Sequence, residues 1–201
     1  MREQLLAAAA DAFSELGYEG ASIDSIASRA GVTGGALYKH FASKAQLLLE
    51  VVAQAVHALP LSERLADGGA TTPRFFAQLV SAHADPGMRR VRRLAIEVHA
   101  AASRDRDAAE LLLEFNRRAH GALRERLDGC IERGELPAEL DADRTASLLL
   151  VLVMGLAHLD TLEPSLLGEP TFTGFLERAV DTLLVRAPAR RSAGARAAPS
   201  S

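Results

Sequence analysis

The chain has 201 residues and only two lysines, Lys39 and Lys44, which stand five residues apart. Thr33, Tyr38 and His40 lie beside them, and Ser22 and Ser25 precede them. Cations and hydrogen-bond donors gathered in one short stretch suit the grip of phosphate oxygens. Gly34, Gly35 and Ala36 lie among them, small enough for a backbone to approach another surface closely. Other chemistries lack such a cluster. There is no nucleophile–base pairing, paired-carboxylate motif, phosphate loop or cofactor fingerprint, so neither an enzyme nor a cofactor is expected. His57, His83, His99, His120 and His158 recur at no metal-ligand spacing. Cys130 stands alone, which excludes a disulfide framework within one chain, and it reads as a small core residue.

The elements that must position these groups all read as helices. Leu5, Leu6, Ala9, Phe13 and Leu16 recur at helical spacing up to Gly17. Ser22 is placed to cap a helix through Ala30, and Gly31-Val32-Thr33 makes a turn. Thr33 caps a short helix to about His40, and Ser43 with Gln46 fits a capping box opening a helix that ends near Pro60. Asp67-Gly68-Gly69 reads as a linker. Thr72-Pro73 and Asp85-Pro86 are further starts, Ser103–Asp107 is a turn, and a long helix runs to about Gly134. Asp141 opens the most apolar helix, about 142–162, and Glu169-Pro170 opens the last. Residues 187–201 are Ala, Arg, Pro, Ser and Gly, and a disordered tail is expected there. No alternating β-period of useful length occurs, so the expected class is all-α.

Composition agrees with a globular chain: 48% hydrophobic and 24% charged, with no Trp. The net charge of −3 does not advertise a nucleic-acid binder, and residues 1–57 hold four basic side chains against six acidic ones. Affinity for phosphates depends on local placement, and both lysines fall in the stretch already singled out. Residues 1–20 carry four acidic groups and no signal-peptide pattern, and the longest apolar run, Leu148–Ala157, is ten residues. A cytoplasmic protein without membrane contact is the expectation.

Residues 22–41 have the signature of a helix-turn-helix, with Ile26, Ala27, Ala30, Val32, Leu37 and Phe41 able to pack the pair together. Phe13, Gly17, Tyr18, Ser22, Ile23, Ile26, Ala27, Ala30, Gly31, Val32, Thr33, Gly35, Leu37, Tyr38, His40, Phe41, Ser43, Lys44 and Leu47 carry a resemblance to the TetR family of bacterial transcriptional regulators. The resemblance implies a DNA-binding domain over 1–57, a helical ligand-binding and dimerisation domain over 58–186, and a homodimer on a palindromic operator of double-stranded DNA. It further implies that Thr33, Tyr38, His40 and Lys44 grip phosphates, that Gly34, Gly35, Ala36 and Lys39 face base edges, and that Ser22 and Ser25 meet a phosphate. The chain departs from the family where Gly34 replaces a frequent Lys, Arg or Pro, and where Met1-Arg2-Glu3 replaces a basic arm.

On the helices that would enclose a ligand, His99, Asn116, His120 and His158 are candidate polar contacts, and Met88, Leu94, Leu112, Phe115 and Met154 candidate apolar lining. Arg89, Arg90, Arg92 and Arg93 read as a solvated face, or as an attractor for an anion. Helices 142–162 and 170–186 are expected to form the dimer interface, because 148–157 asks for burial on all sides. A repressor released by a small apolar effector is the leading function. An all-α ligand-binding protein or enzyme with a vestigial helix-turn-helix is the alternative.

Overall fold

Short polar side chains set where helices begin. Ser22 accepts from the amide of Ser25, Thr33 from Ala36, Ser43 from Gln46, Asp105 from Asp107 and Ala108, and Asp141 from Arg144. Each bond satisfies an amide that the first helical turn leaves without an intrahelical partner. The computed structural model describes residues 1–57 and 72–186. There the chain forms α1 (Arg2–Gly20), α2 (Ile23–Arg29), α3 (Gly34–Tyr38), α4 (Lys44–His57) and α5 (Pro73–Ala84). It continues through a 3₁₀ turn (Pro86–Met88) into α6 (Arg89–Ala102), α7 (Arg106–Glu132), α8 (Ala142–Leu162), α9 (Pro164–Leu167) and α10 (Pro170–Arg186). The fold is all-α, with no strand among the described residues. The expected helix end near Pro60, the linker at Asp67-Gly68-Gly69 and the disordered tail 187–201 lie outside them.

Several starts differ in detail from their sequence patterns. At Asp85-Pro86 the chain makes the 3₁₀ turn before α6 begins, and Asp85 accepts from the Gly87 amide. Thr72 precedes Pro73 but its hydroxyl makes no cap bond. Gln46 reaches back to the amide of Ala42, one residue before the cap that a capping box would serve. α1 does not stop at Gly17: the backbone there takes φ 70°, ψ 176°, a conformation open essentially to glycine, and one more helical turn follows to Gly20. The short α9 has no counterpart in the expected elements.

Two apolar cores hold the helices. The first joins Leu5, Phe13, Ile26, Leu37 and Leu47 of the N-terminal helices, with Phe41 from the connection between α3 and α4, to Leu94 and Val98 of α6 and Ala108 of α7. The second joins Phe76 of α5, Leu127 and Cys130 of α7, Leu149 of α8, and Val180 and Leu184 of α10. Each fully buried Leu or Phe contributes roughly 1.5–3 kcal/mol. Because the first core runs on into α6, the N-terminal helices are packed onto the rest of the molecule through that helix.

α8 is long and apolar enough, by length and composition, to cross a membrane, with 33% of its most apolar stretch buried. It packs against α5, α6, α7 and α9, as a core helix does, and buries the charged Asp160. Burial on all sides is not what the single chain provides: Leu148 and Val151 of α8 remain exposed, as do Phe175 and Val185 of α10.

Candidate functional site

The short second helix of the helix-turn-helix is set by its two ends. Gly31 turns the chain at φ 70°, which returns the Val32 amide to the carbonyl of Ala27 at 2.9 Å. Thr33 then caps α3, which holds Gly34 and Gly35 in its first turn rather than in the connection. α3 ends at Tyr38, short of the expected His40, and Leu37 anchors it by complete burial. Tyr38, Lys39 and His40 are left exposed. None of Ser22, Ser25, Thr33, Gly34, Gly35, Ala36, Tyr38, Lys39, His40 and Lys44 is buried. Ser22 and Thr33 cap their helices as acceptors, so each hydroxyl keeps its proton to donate.

The two adjacent glycines differ physically. A Cβ on Gly34 would stand 2.7 Å from Oδ1 of Asp24, whereas a Cβ on Gly35 would meet nothing within 4 Å. Lys44 opens α4 with its Nζ 4.3 Å from the centre of the Tyr18 ring, a cation–π contact. Three of the six acidic residues among positions 1–57 are matched by arginines: Glu50 by Arg2, Glu15 by Arg29, and Asp11 by Arg90. Lys39 forms no ion pair among the described residues.

A cavity of about 110 Å³ lies between α4, α5, α6, α7 and α8. Leu49 and Val52 of α4, Val98 of α6, Leu112 and Phe115 of α7, and Leu150, Val153 and Met154 of α8 give it an apolar wall. His83, Arg92, His99 and Asn116 are its polar members. The His83 Nδ1–H donates to the carbonyl of Leu79 at 2.7 Å. Burial pushes the His83 pKa below its ordinary value and nearby Arg92 adds to this, against the opposing effect of the Leu79 bond. His99 is lowered by burial and by His158, whose ring stacks on it at 5.7 Å. Arg92 is only 3% exposed. Its Nη1 donates to the carbonyls of His83 and Asp85 at 2.7 and 2.8 Å, and its Nη2 to Asp160 at 3.2 Å.

α6 connects this cavity to the helix-turn-helix. One face supplies Val91, Arg92, Ala95, Val98 and His99 to the cavity. The other meets α1, where Arg90 pairs with Asp11 and bonds Ser14, and Glu97 accepts the Tyr18 amide at 2.7 Å beside the bend at Gly17.

Two family models match the chain. Residues 5–51 match the bacterial regulatory proteins of the tetR family, and residues 81–185, over half the chain, match the C-terminal region of BetI-type transcriptional repressors. The chain belongs to the TetR family of bacterial transcriptional regulators. Among TetR relatives, the transcriptional activator FasR of Mycolicibacterium smegmatis is 48% identical over 58 residues, 29% of this chain and 26% of FasR. The match thus spans about a quarter of FasR's length. The regulator UidR of Escherichia coli K12 is 28% identical over 156 residues, 77% of this chain and 78% of UidR. In fold, the chain resembles Bacillus subtilis FadR, solved in complex with stearoyl-CoA, with TM-score 0.69, 20% identity and coverage of 92% of this chain and 98% of that one. What these matches give this TetR protein is membership in a family of transcriptional regulators and an N-terminal helix-turn-helix of the family's kind.

Against this TetR framework the nine residues singled out for a ligand separate. His99, Leu112, Phe115, Asn116 and Met154 come together in the cavity wall. His158 lies behind His99, stacked on it and donating from Nδ1 to the carbonyl of Met154. Met88 is buried in the 3₁₀ turn, and Leu94 is buried in the first core. His120 bonds the Asp143 carbonyl and the Ser147 hydroxyl between α7 and α8. Cys130 is fully buried, and burial pushes its thiol pKa up, as expected of a core residue. The reading of Arg89–Arg93 as one solvated face fails at Arg92, which α6 turns inward. His83 and Arg92 are the polar cavity members that the sequence reading did not select. A signal existed: Met88, Arg92, Ala95 and His99 follow helical spacing, which places Arg92 on the inner face.

Proposed function

We propose that this TetR-family chain is a homodimeric repressor that binds a palindromic operator and is released by a small, largely apolar effector in the cytoplasm. Residues 1–57 would read DNA, and residues 58–186 would bind the effector and dimerise. Thr33, Tyr38, His40, Lys44, Ser22 and Ser25 would hold phosphates, with Gly34, Gly35, Ala36 and Lys39 at the base edges. The supporting observation is that these residues all escape burial, while three acids of the same segment are matched by arginines and Lys39 remains unpaired among the described residues. A dimer would set two such surfaces on half-sites about 34–36 Å apart, or a multiple of it. The exposed Leu148, Val151, Phe175 and Val185 supply the apolar face through which helices 142–162 and 170–186 would pair.

The effector would act through α4 and α6. α4 begins with Lys44 at the DNA surface and puts Leu49 and Val52 in the cavity wall, a span of about 8–12 Å along one helix. An effector that fits better when these helices are displaced favours the conformation whose recognition helices miss the half-site spacing. Only this differential affinity transmits a signal. The cavity of about 110 Å³ takes a short alkyl unit as it stands, and would have to widen slightly for a ring, since roughly 150 Å³ holds benzene. The acyl chain that FadR carries would require it to open further. The relatives are transcriptional regulators, and FasR, an activator, keeps activation as the second reading.

The test is the double variant Tyr38→Phe, Lys39→Ala. Operator binding should be lost while dimerisation and probe binding in the cavity are unchanged. Retained operator affinity would overturn the assignment of the DNA surface.

A further inference from the structure

The cavity's polar inventory says more about its occupant than its apolar lining does. Among the described residues, Arg92 Nε is the buried side-chain nitrogen or oxygen that no partner meets. The rest of that guanidinium is committed: Nη1 to two carbonyls at the end of α5, Nη2 to Asp160. A buried donor on a charged group is costly to leave unmatched, and Arg92 is part of the cavity wall, so the widening that admits a ring would also open Nε to an acceptor. Charge then narrows the choice. Asp160 already faces Arg92 at 3.2 Å, and Arg89 approaches the other Asp160 oxygen at 3.7 Å from an exposed position. The remaining polar wall members are His83, His99 and Asn116, and no second Lys or Arg lines the cavity among the described residues. Burial favours the neutral form of both histidines. A carboxylate brought to Arg92 would therefore sit beside the buried Asp160, with the second cation of the cluster, Arg89, out at the exposed side, whereas a carbonyl oxygen would carry no such repulsion.

We propose that the effector is an apolar molecule of about ring size bearing one neutral hydrogen-bond acceptor, a ketone, ester or amide oxygen, which is received by the Arg92 guanidinium. This rests on the cavity being the effector site. Apolar transfer alone ranks a hydrocarbon above a ketone of the same shape, so a reversal of that order identifies a donor within the site.

The experiment uses the full chain and three probes of matched shape: acetophenone, isopropylbenzene and benzoate. Calorimetric titration should show acetophenone binding about 10- to 100-fold tighter than isopropylbenzene, and tighter than benzoate. Ala119→Leu, which fills the cavity, should remove binding of every probe that the chain takes up. Asn116→Leu and His99→Leu should each keep the preference for acetophenone, since the Asn116 amide and the His99 ring N–H are the competing donors. Isopropylbenzene binding as tightly as acetophenone, with Ala119→Leu still blocking both, would overturn the assignment to Arg92 and leave the cavity reading standing. So would benzoate binding tightest, or loss of the preference in Asn116→Leu or in His99→Leu. Binding of no probe, or binding that Ala119→Leu leaves intact, overturns both the cavity reading and this proposal.

Discussion

Gly34 and Gly35 adjoin in one helical turn, and substituting them should have different consequences. A glycine inside a helix costs roughly 0.5–1 kcal/mol relative to alanine. At Gly35 an added Cβ meets nothing within 4 Å, so Gly35→Ala should recover that amount. For a chain of this length the gain is about 1–4 °C in melting temperature. At Gly34 the Cβ lands 2.7 Å from Asp24 Oδ1, so Gly34→Ala must displace that carboxylate and should gain little or nothing. DNA affinity should move the other way. If Gly35 lies against the operator, a side chain there costs about 1–3 kcal/mol per half-site, comparable with a mismatched base pair. Over two half-sites that is about 2–6 kcal/mol, a loss of roughly 30-fold or more. Gly35→Leu enlarges the collision while still meeting no atom of its own chain at Cβ. Melting curves and fluorescence anisotropy with a labelled operator duplex measure the two effects on the same samples. Greater stability with weaker DNA binding is the expected pair of results. A Gly35→Leu protein that binds the operator as the parent does would remove Gly35 from the DNA surface, because the open space beside it would then have no occupant.

Three further perturbations probe other parts of the account. Asp160→Ala leaves the buried Arg92 without its carboxylate and should cost about 3–5 kcal/mol in urea unfolding, much of it recovered when Arg92→Met is added; equal stabilities of parent and single variant would contradict the burial of the pair. His83 is held below its ordinary pKa of 6.5, so as pH drops beneath that value the unfolded chain takes up a proton that the folded chain refuses. Stability should therefore be complete above about pH 6.5 and decline toward pH 5, and His83→Gln should flatten part of that decline in urea midpoints; an unchanged pH slope counts against a neutral His83. Val151→Asp with Phe175→Asp places charges on the exposed apolar face of α8 and α10 and should yield monomers by sedimentation; a dimer that persists would move the interface elsewhere.

What the sequence disclosed and what it withheld follow a physical division. Ser22, Thr33, Ser43 and Asp141 start helices through bonds to amides three residues away, so local spacing reveals them. The helix-turn-helix was legible for the same reason: Gly31, Val32 and Leu37 act within a few residues of one another. Arg92 and Asp160 are separated by 68 positions, and only packing of α6 on α8 brings them together. Read among Arg89, Arg90 and Arg93, Arg92 looked like one more solvated cation. The difference between Gly34 and Gly35 was equally hidden, since it depends on where Asp24 of α2 points. Leu94 was apolar at the right spacing, but a spacing cannot say whether a helix face meets the cavity or the core beside it.

Repression of this kind requires sequence-specific recognition by a dimer. The most direct measurement is selection of bound duplexes from a random DNA pool at about 0.15 M salt, a condition under which a few phosphate contacts alone hold weakly. The protein should first be unfolded and refolded to strip any bound small molecule, then verified as folded and dimeric. Enrichment of one palindrome with half-sites about one helical turn apart, or a multiple of it, is the predicted result. Enrichment of no sequence, or of a single unpaired half-site, would contradict it.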